Sequence, residues 1–257
     1  MNPYSAYIFD LDGTVYLGEA LLPTAGETIT RLREQGKRTV FLSNNPTKTR
    51  HDYAAKLTRL GLPTPPSDVL NSSAVMVDFL QRNLPDSRLF VIGEPPIEGE
   101  LRDAGFTLTD KASEVDVVVV SFDRTFDYRK LQIGFDALRA GARFFATNGD
   151  KYCPVPGGGE PDAAAIIAAL EACTDVKIEG IVGKPSAYMA DSILHLLGGI
   201  PAQECVMTGD RLETDVLMGL EAGMAAALTL TGATTAVQAA QSDIKPTYII
   251  DQLADLL

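Results

Sequence analysis

Tyr7-Ile8-Phe9-Asp10-Leu11-Asp12-Gly13-Thr14 is a short apolar run that ends in two carboxylates, a glycine and a hydroxyl. Its reading decides the fold. In an open parallel sheet, ligands bind in the crevice outside the carboxyl ends of the strands, so a strand emptying into Asp-x-Asp points charge into that crevice. Strand alternation sends Asp10 and Asp12 to the same side, about 6 to 7 Å apart along the chain, near enough to serve one ligand. Gly13 lets the backbone turn and come close to an anion. A lone Asp-x-Asp-Gly is most often only a polar turn, so the reading needs partners elsewhere in the chain.

The next stretches follow a repeating α/β pattern. Thr24 to Gln35 carries Ile29 and Leu32 at helical spacing with Gly36 just past its end, which predicts a helix and its stop. Arg38-Thr39-Val40-Phe41-Leu42 reads as a buried strand with the polar tip Ser43-Asn44-Asn45-Pro46. Two short strands around one helix form a βαβ unit, whose right-handed crossover makes them parallel and brings Ser43 to the same edge as Asp10. A helix from about Thr47, with Tyr53, Leu57 and Leu60 on one face, ends at Gly61.

From Ser72 the pattern restarts. Helices around Val75 to Leu80 and Ile97 to Leu101 alternate with strands at Leu89 to Ile92 and Val117 to Val120. A helix capped by Asp127 then leads to the strand Arg143 to Asn148. Pro154 to Pro161 is rich in breakers and long enough for a binding loop or a plain surface loop. After an Ala-rich helix from Asp162 to Ala172, Lys184 stands at a strand exit between Gly183 and Pro185. Pro185 occupies the position where a P-loop requires Ser or Thr, so that phosphate motif is excluded. Cys205 to Thr208 is a second strand with a carboxylate tip, Gly209-Asp210 through Asp215. Further strands are expected at Ala226 to Leu230 and Tyr248 to Ile250.

Bulk properties narrow the function. The chain has 257 residues, 46% hydrophobic and 22% charged, ordinary values for one large or two smaller globular α/β domains. A formal net charge of -12 argues against nucleic acid and anionic membranes as partners, and means an anionic substrate needs a cation or a placed lysine. Three scattered cysteines suggest neither a disulfide framework nor a zinc site. With two histidines in the chain, carboxylates are the reactive groups to expect. The short approach to the first strand, without a leader or spanning run, leads to the expectation of a soluble cytoplasmic protein.

Four strand exits thus line up: Asp10 with Asp12, Ser43, Lys184, and Asp210 with Asp215. Carboxylates from two strands suit Mg²⁺, while lysine and hydroxyl suit a phosphate's remaining oxygens. One carboxylate can serve as nucleophile, forming an acyl phosphate, and a second as general acid and then base.

Phe9-Asp10-Leu11-Asp12-Gly13-Thr14, Leu42-Ser43-Asn44-Asn45, Gly183-Lys184-Pro185-Ser186 and Gly209-Asp210 through Asp215 resemble the four motifs of the haloacid dehalogenase (HAD) superfamily. Phe122 to Tyr128 and Ala146-Thr147-Asn148-Gly149-Asp150 resemble the α/β cap of its nagD-like phosphatases, subfamily IIA, near the arabinose-operon sugar phosphatases. The resemblance implies an α/β fold: a HAD-like doubly wound parallel-sheet (Rossmann-like) core, 1-77 plus 180-257, with an inserted α/β cap domain of C2 type, 78-179.

It also implies a phosphatase acting on small phosphomonoesters such as sugar phosphates and p-nitrophenyl phosphate, with Asp10 as nucleophile and Asp12 as acid and base. Asp10, the Asp12 carbonyl and Asp210 would hold Mg²⁺. Ser43, the Asn44 amide and Lys184 would hold the phosphoryl group, and Asp215 would orient the metal site or Lys184. Asn148, Tyr152 and Asp162 would face the leaving group, and cap surfaces would pair in a homodimer. The partner implied is a small phosphorylated metabolite. Rival readings are a phospho-aspartate signalling module, a phospho-ligand binder, or a HAD phosphonatase or dehalogenase. Chain length and Asp12 argue against the first, the complete motif set against the second, and Asp12 against the last.

Overall fold

The computed structural model describes residues 4–155 and 157–257. The chain divides into two compact units, Met1–Ser43 with Arg50–Leu70 and Lys184–Leu257, and Asn44–Thr49 with Asn71–Gly183.

The first unit is built on a six-stranded sheet in the order Tyr248–Ile250, Ala225–Thr229, Cys205–Gly209, Ala6–Asp10, Arg38–Ser43, Val69–Asn71. The five strands from Tyr248–Ile250 through Arg38–Ser43 run parallel. Every residue of Ala6–Asp10 is buried, as expected of a central parallel strand covered on both faces. One face packs Tyr7, Phe9 and Phe41 against Ile29, Leu32 and Leu57 from the helices Ala25–Glu34 and Arg50–Arg59. Another cluster joins Leu212 and Val216 to Ala226, Leu228 and Ala239. The helix Ala25–Glu34 stops where expected. Gly36 adopts φ 76°, its amide donates to the Arg33 carbonyl at 2.9 Å, and the Lys37 amide donates to Leu32 at 3.0 Å. This is the paired hydrogen-bond pattern that a left-handed residue after a helix permits.

From Ala6–Asp10 the chain builds outward through Arg38–Ser43 on one side and returns on the other through Cys205–Gly209. The central strand is therefore the topological switch point, where a crevice opens at the carboxyl ends.

The second unit carries a five-stranded sheet in the order Gly180–Ile181, Arg143–Ala146, Val117–Val120, Arg88–Ile92, Thr107–Leu108, parallel throughout. Phe90, Ile92, Val118, Val120 and Phe144 meet Ile166 and Leu170 in its core. The helix Tyr128–Arg139 begins at Asp127, whose side chain accepts from the Lys130 amide at 2.8 Å, as its sequence suggested.

Several expectations are corrected. Pro154 to Pro161 is not an open loop: Tyr152–Val155 and Gly158–Pro161 pair antiparallel in a hairpin, with Pro156 outside the described residues. The helix expected from Thr47 starts at Arg50. The helix expected around Val75 to Leu80 runs from Ser72 to Asn83, because Asn71 is its cap. This helix, cut at 77/78 in the expected domain scheme, lies whole in the second unit. The strand before Lys184 shrinks to Gly180–Ile181 and pairs in the five-stranded sheet, so Lys184 does not leave a strand of the six-stranded one. A small hairpin, Tyr16–Leu17 with Ala20–Leu21, follows the first strand and was not anticipated. Two-residue strands are too short for alternation to show.

Asn71 couples capping to chain placement. Its fully buried side chain accepts from the Ala74 amide at 3.0 Å and donates to the Lys48 carbonyl at 2.8 Å. Asn71→Ala is expected to lower stability by about 1–2 kcal/mol. Urea unfolding checks this; an unchanged midpoint for the alanine variant refutes the assignment.

Candidate active site

The strand register assembles the site in the first unit. Asp10, the last residue of its strand, lies beside Leu42, immediately before Ser43, while Phe9 pairs with Thr208, two residues before Asp210. Two strand tips therefore deliver Asp10 and Asp210 to one edge. Gly13, at φ 86°, makes this approach feasible: a Cβ there would lie 2.5 Å from the Asp210 Oδ2 atom. Gly209 likewise leaves the space that the Asp215 carboxylate fills.

Asp215 arrives by a different device. Leu212–Val216 forms a single π-helical turn before the helix Leu217–Glu221, a local widening frequent at functional sites. Its Oδ2 atom accepts from the Arg211 amide at 3.1 Å, and its Oδ1 atom accepts from Lys184 Nζ at 2.6 Å. The same ammonium donates to Asp10 Oδ1 at 2.5 Å. Lys184 is only 4% exposed and is thus a buried cation clasped by two buried carboxylates.

Asp10, Asp210 and Asp215 each present an oxygen within 4.8 Å of the others. With Lys184 charged and all three ionised, the buried cluster holds two surplus negative charges. Burial, and then the Asp215 and Asp210 charges, push the Asp10 carboxyl well above the ordinary carboxylate range, with Lys184 pulling the other way. Asp210 is pushed up to about 6, first by burial and then by Asp215, against the Ala233 amide, Arg211 and Lys184. Burial opposes the charge on Lys184, but Asp10 and Asp215 outweigh it and raise its pKa. An all-oxygen donor set with this residual charge fits a divalent cation.

Other expected residues fall as follows. Asp12 is exposed and its backbone bridges to Tyr16. Ser43 is buried, its hydroxyl donating to the Tyr53 hydroxyl at 3.2 Å. In the second unit, Asn44 Nδ2 donates to Asp150 at 2.8 Å, and Asn148 Nδ2 donates to Asp150 at 3.2 Å and to Asp162 at 3.0 Å. Asn148 is fully buried, and Asp162 caps the helix Ala163–Thr174. Asn44 and Asn148 thus share Asp150, and Asn148 carries the same network on to Asp162. Tyr152, by contrast, is 57% exposed on the hairpin.

One element escaped the sequence reading. After the strand Ala225–Thr229, Thr231 donates to the Gly13 carbonyl at 2.6 Å and the Ala233 amide donates to Asp210 Oδ2 at 2.6 Å. Gly232 packs so closely on Asp210 that a side chain there would collide with its carboxylate. The available signal was Thr-Gly at yet another strand exit.

Comparison with known proteins agrees with this architecture. A model described as haloacid dehalogenase-like hydrolase matches residues 7–107, and a HAD-hydrolase-like model matches residues 181–256. The chain is 39% identical over 249 residues to the sugar-phosphatase AraL of Bacillus subtilis, covering 97% of this chain and 90% of that protein. It is similar to the 4-nitrophenylphosphatase structure from Thermotoga maritima, with a TM-score of 0.94 and 35% identity, covering 99% of this chain and 96% of the other. NagD from Escherichia coli K-12 superposes with a TM-score of 0.90 at 30% identity, covering 98% of each chain. The motifs, the sheet with its inserted α/β unit and these similarities establish that the chain belongs to the haloacid dehalogenase superfamily, as a phosphomonoester hydrolase of its nagD-like branch.

Proposed function

We propose that the chain hydrolyses small, sugar-like phosphomonoesters with Mg²⁺, through an aspartyl phosphate on Asp10. The observation that carries this reading is the buried Lys184 ammonium between Asp10 and Asp215, with Asp210 in the same cluster. Asp10 and Asp210 would hold the cation with the Asp12 carbonyl, and Mg²⁺ would neutralise charge on the phosphate oxygens. Both oxygens of Asp215 are engaged, one by Lys184 and one by the Arg211 amide, which supports a role in placing Lys184.

An Asp10 carboxylate oxygen attacks phosphorus as the ester oxygen leaves in line, and Asp12 protonates that oxygen. Now ionised, Asp12 takes a proton from water, which attacks phosphorus, frees phosphate and restores the Asp10 carboxylate. Lys184, the Ser43 hydroxyl and the Asn44 amide offset charge on the transferring group, the dominant contribution in phosphoryl transfer. Asp12 suits proton exchange because it is exposed, whereas Asp10 is shielded. A sugar phosphate is supported by the name and similarity of AraL. Selection among leaving groups is assigned to Asn148, Tyr152 and Asp162, with Tyr152 as the exposed member. The substrate is a small phosphorylated metabolite, as for the phosphatases this chain is similar to. Among the described residues no helix is long and apolar enough to cross a membrane.

Phosphate release from sugar phosphates and p-nitrophenyl phosphate is expected with Mg²⁺ and not with EDTA. Asp10→Asn should abolish turnover, and Asp12→Asn should lower kcat on sugar phosphates by about 10²–10⁴-fold. Turnover of Asp10→Asn at the wild-type rate contradicts the reading.

The raised Asp210 pKa carries a sign. Its proton is held more tightly in the folded than in the unfolded state, so in metal-free protein its ionisation destabilises the fold as pH rises from about 4 through about 6. In EDTA, the wild-type Tm relative to Asp210→Asn should therefore fall across that window. A parallel pair of Tm profiles removes the proposed burial cost.

A further inference from the structure

Tyr16 is fully buried, and its hydroxyl makes no well-formed hydrogen bond among the described residues. A buried orphan hydroxyl is costly enough to need an explanation. Its ring is held from behind: Lys56 Nζ lies 3.6 Å from the ring centroid, on a side chain only 9% exposed. Glu19, at the turn of the small hairpin, reaches Lys56 at 3.9 Å and Arg59 at 2.6 Å, fastening the hairpin to the helix Arg50–Arg59. At the other end, the Gly13 amide donates to the Tyr16 carbonyl at 2.9 Å, and the backbones of Asp12 and Tyr16 bridge. Tyr16 therefore connects a buried cation to the turn that carries Asp12.

Burial raises the Tyr16 pKa, and of the side chains that add to it Asp12 acts most strongly, ahead of Tyr53 and Asp10, through its charge and through a hydrogen-bond approach to the phenol. A cation on the ring face withdraws electron density and strengthens the hydroxyl as a donor. Catalytic hydrogen bonds are often long or poorly aligned without substrate and tighten in the reacting complex.

We propose that Tyr16 is a positioning residue for Asp12: with substrate bound, its hydroxyl donates to one carboxyl oxygen and leaves the other aimed at the leaving oxygen, while Lys56 fixes the ring. This rests on the proposed role of Asp12 as general acid. Because that role matters most for poor leaving groups, the effect should depend on the leaving group, which a general loss of structure does not produce.

The test compares wild type, Asp12→Asn, Tyr16→Phe, Lys56→Met and Lys56→Arg on p-nitrophenyl phosphate and on glycerol 3-phosphate. Phe preserves the ring and its contact with Lys56. For Tyr16→Phe, kcat/KM, which reports the step in which the leaving group departs and not the later hydrolysis common to both esters, should fall about 10- to 100-fold on glycerol 3-phosphate, with far less loss on p-nitrophenyl phosphate and a Tm no lower than that of wild type. Lys56→Met should show the same asymmetry and Lys56→Arg should restore it toward wild type. Equal losses on both esters, or none, in Tyr16→Phe overturn the proposal when Asp12→Asn still discriminates between them. No discrimination by Asp12→Asn overturns the general-acid reading and this inference with it.

Discussion

The buried ion pair at Lys184 is the constraint on which the site depends. Removing a lysine from water is expensive, and two carboxylates within hydrogen-bond distance make its charge tolerable. Those carboxylates in turn need the lysine, and with Asp210 they leave an unbalanced charge that calls for a dication. Lys184, Asp10 and Asp215 thus stabilise one another, whereas Asp210 adds charge that a dication would offset.

The surrounding backbone accommodates this cluster. Gly13, Gly209 and Gly232 are narrow because carboxylates occupy the space their side chains would need. The Ala233 amide and the π-helical turn before Leu217 fix Asp210 and Asp215. Asp12 is the contrasting case, exposed beside the shielded Asp10, the environment difference that the proposed division of roles between two chemically identical side chains requires.

Much of the first unit was legible because its signals are strong and local. Buried β runs end at glycine, proline or charge, and the strands Ala6–Asp10, Arg38–Ser43 and Cys205–Gly209 fall where Phe9-Asp10, Leu42-Ser43 and Thr208-Gly209 implied. Asp10 and Asp210 meet because register does what the strand tips suggested, whereas Asp215 is brought in by the π-helical turn and Lys184 does not leave a strand of that sheet. Less legible were features that depend on tertiary pairing. Pro154 and the three glycines from 157 to 159 read as a loop, yet Tyr152 and Pro161 pair across a hairpin. Gly180–Ile181 looked like an extension of the core because Lys184 follows it, but which sheet accepts a two-residue strand is decided by its partner, Arg143–Ala146. The contacts of Tyr16 with Lys56 and of Thr231 with Gly13 span sequence separations that no local pattern encodes.

The central claim is that Asp10 takes the phosphoryl group before water does. The most direct measurement is the stereochemical course at phosphorus, using an isotopically chiral thiophosphate ester turned over by the Mg²⁺-loaded enzyme. Two successive in-line displacements predict overall retention of configuration. Inversion would mean that water attacks the ester directly, and would contradict Asp10 as nucleophile.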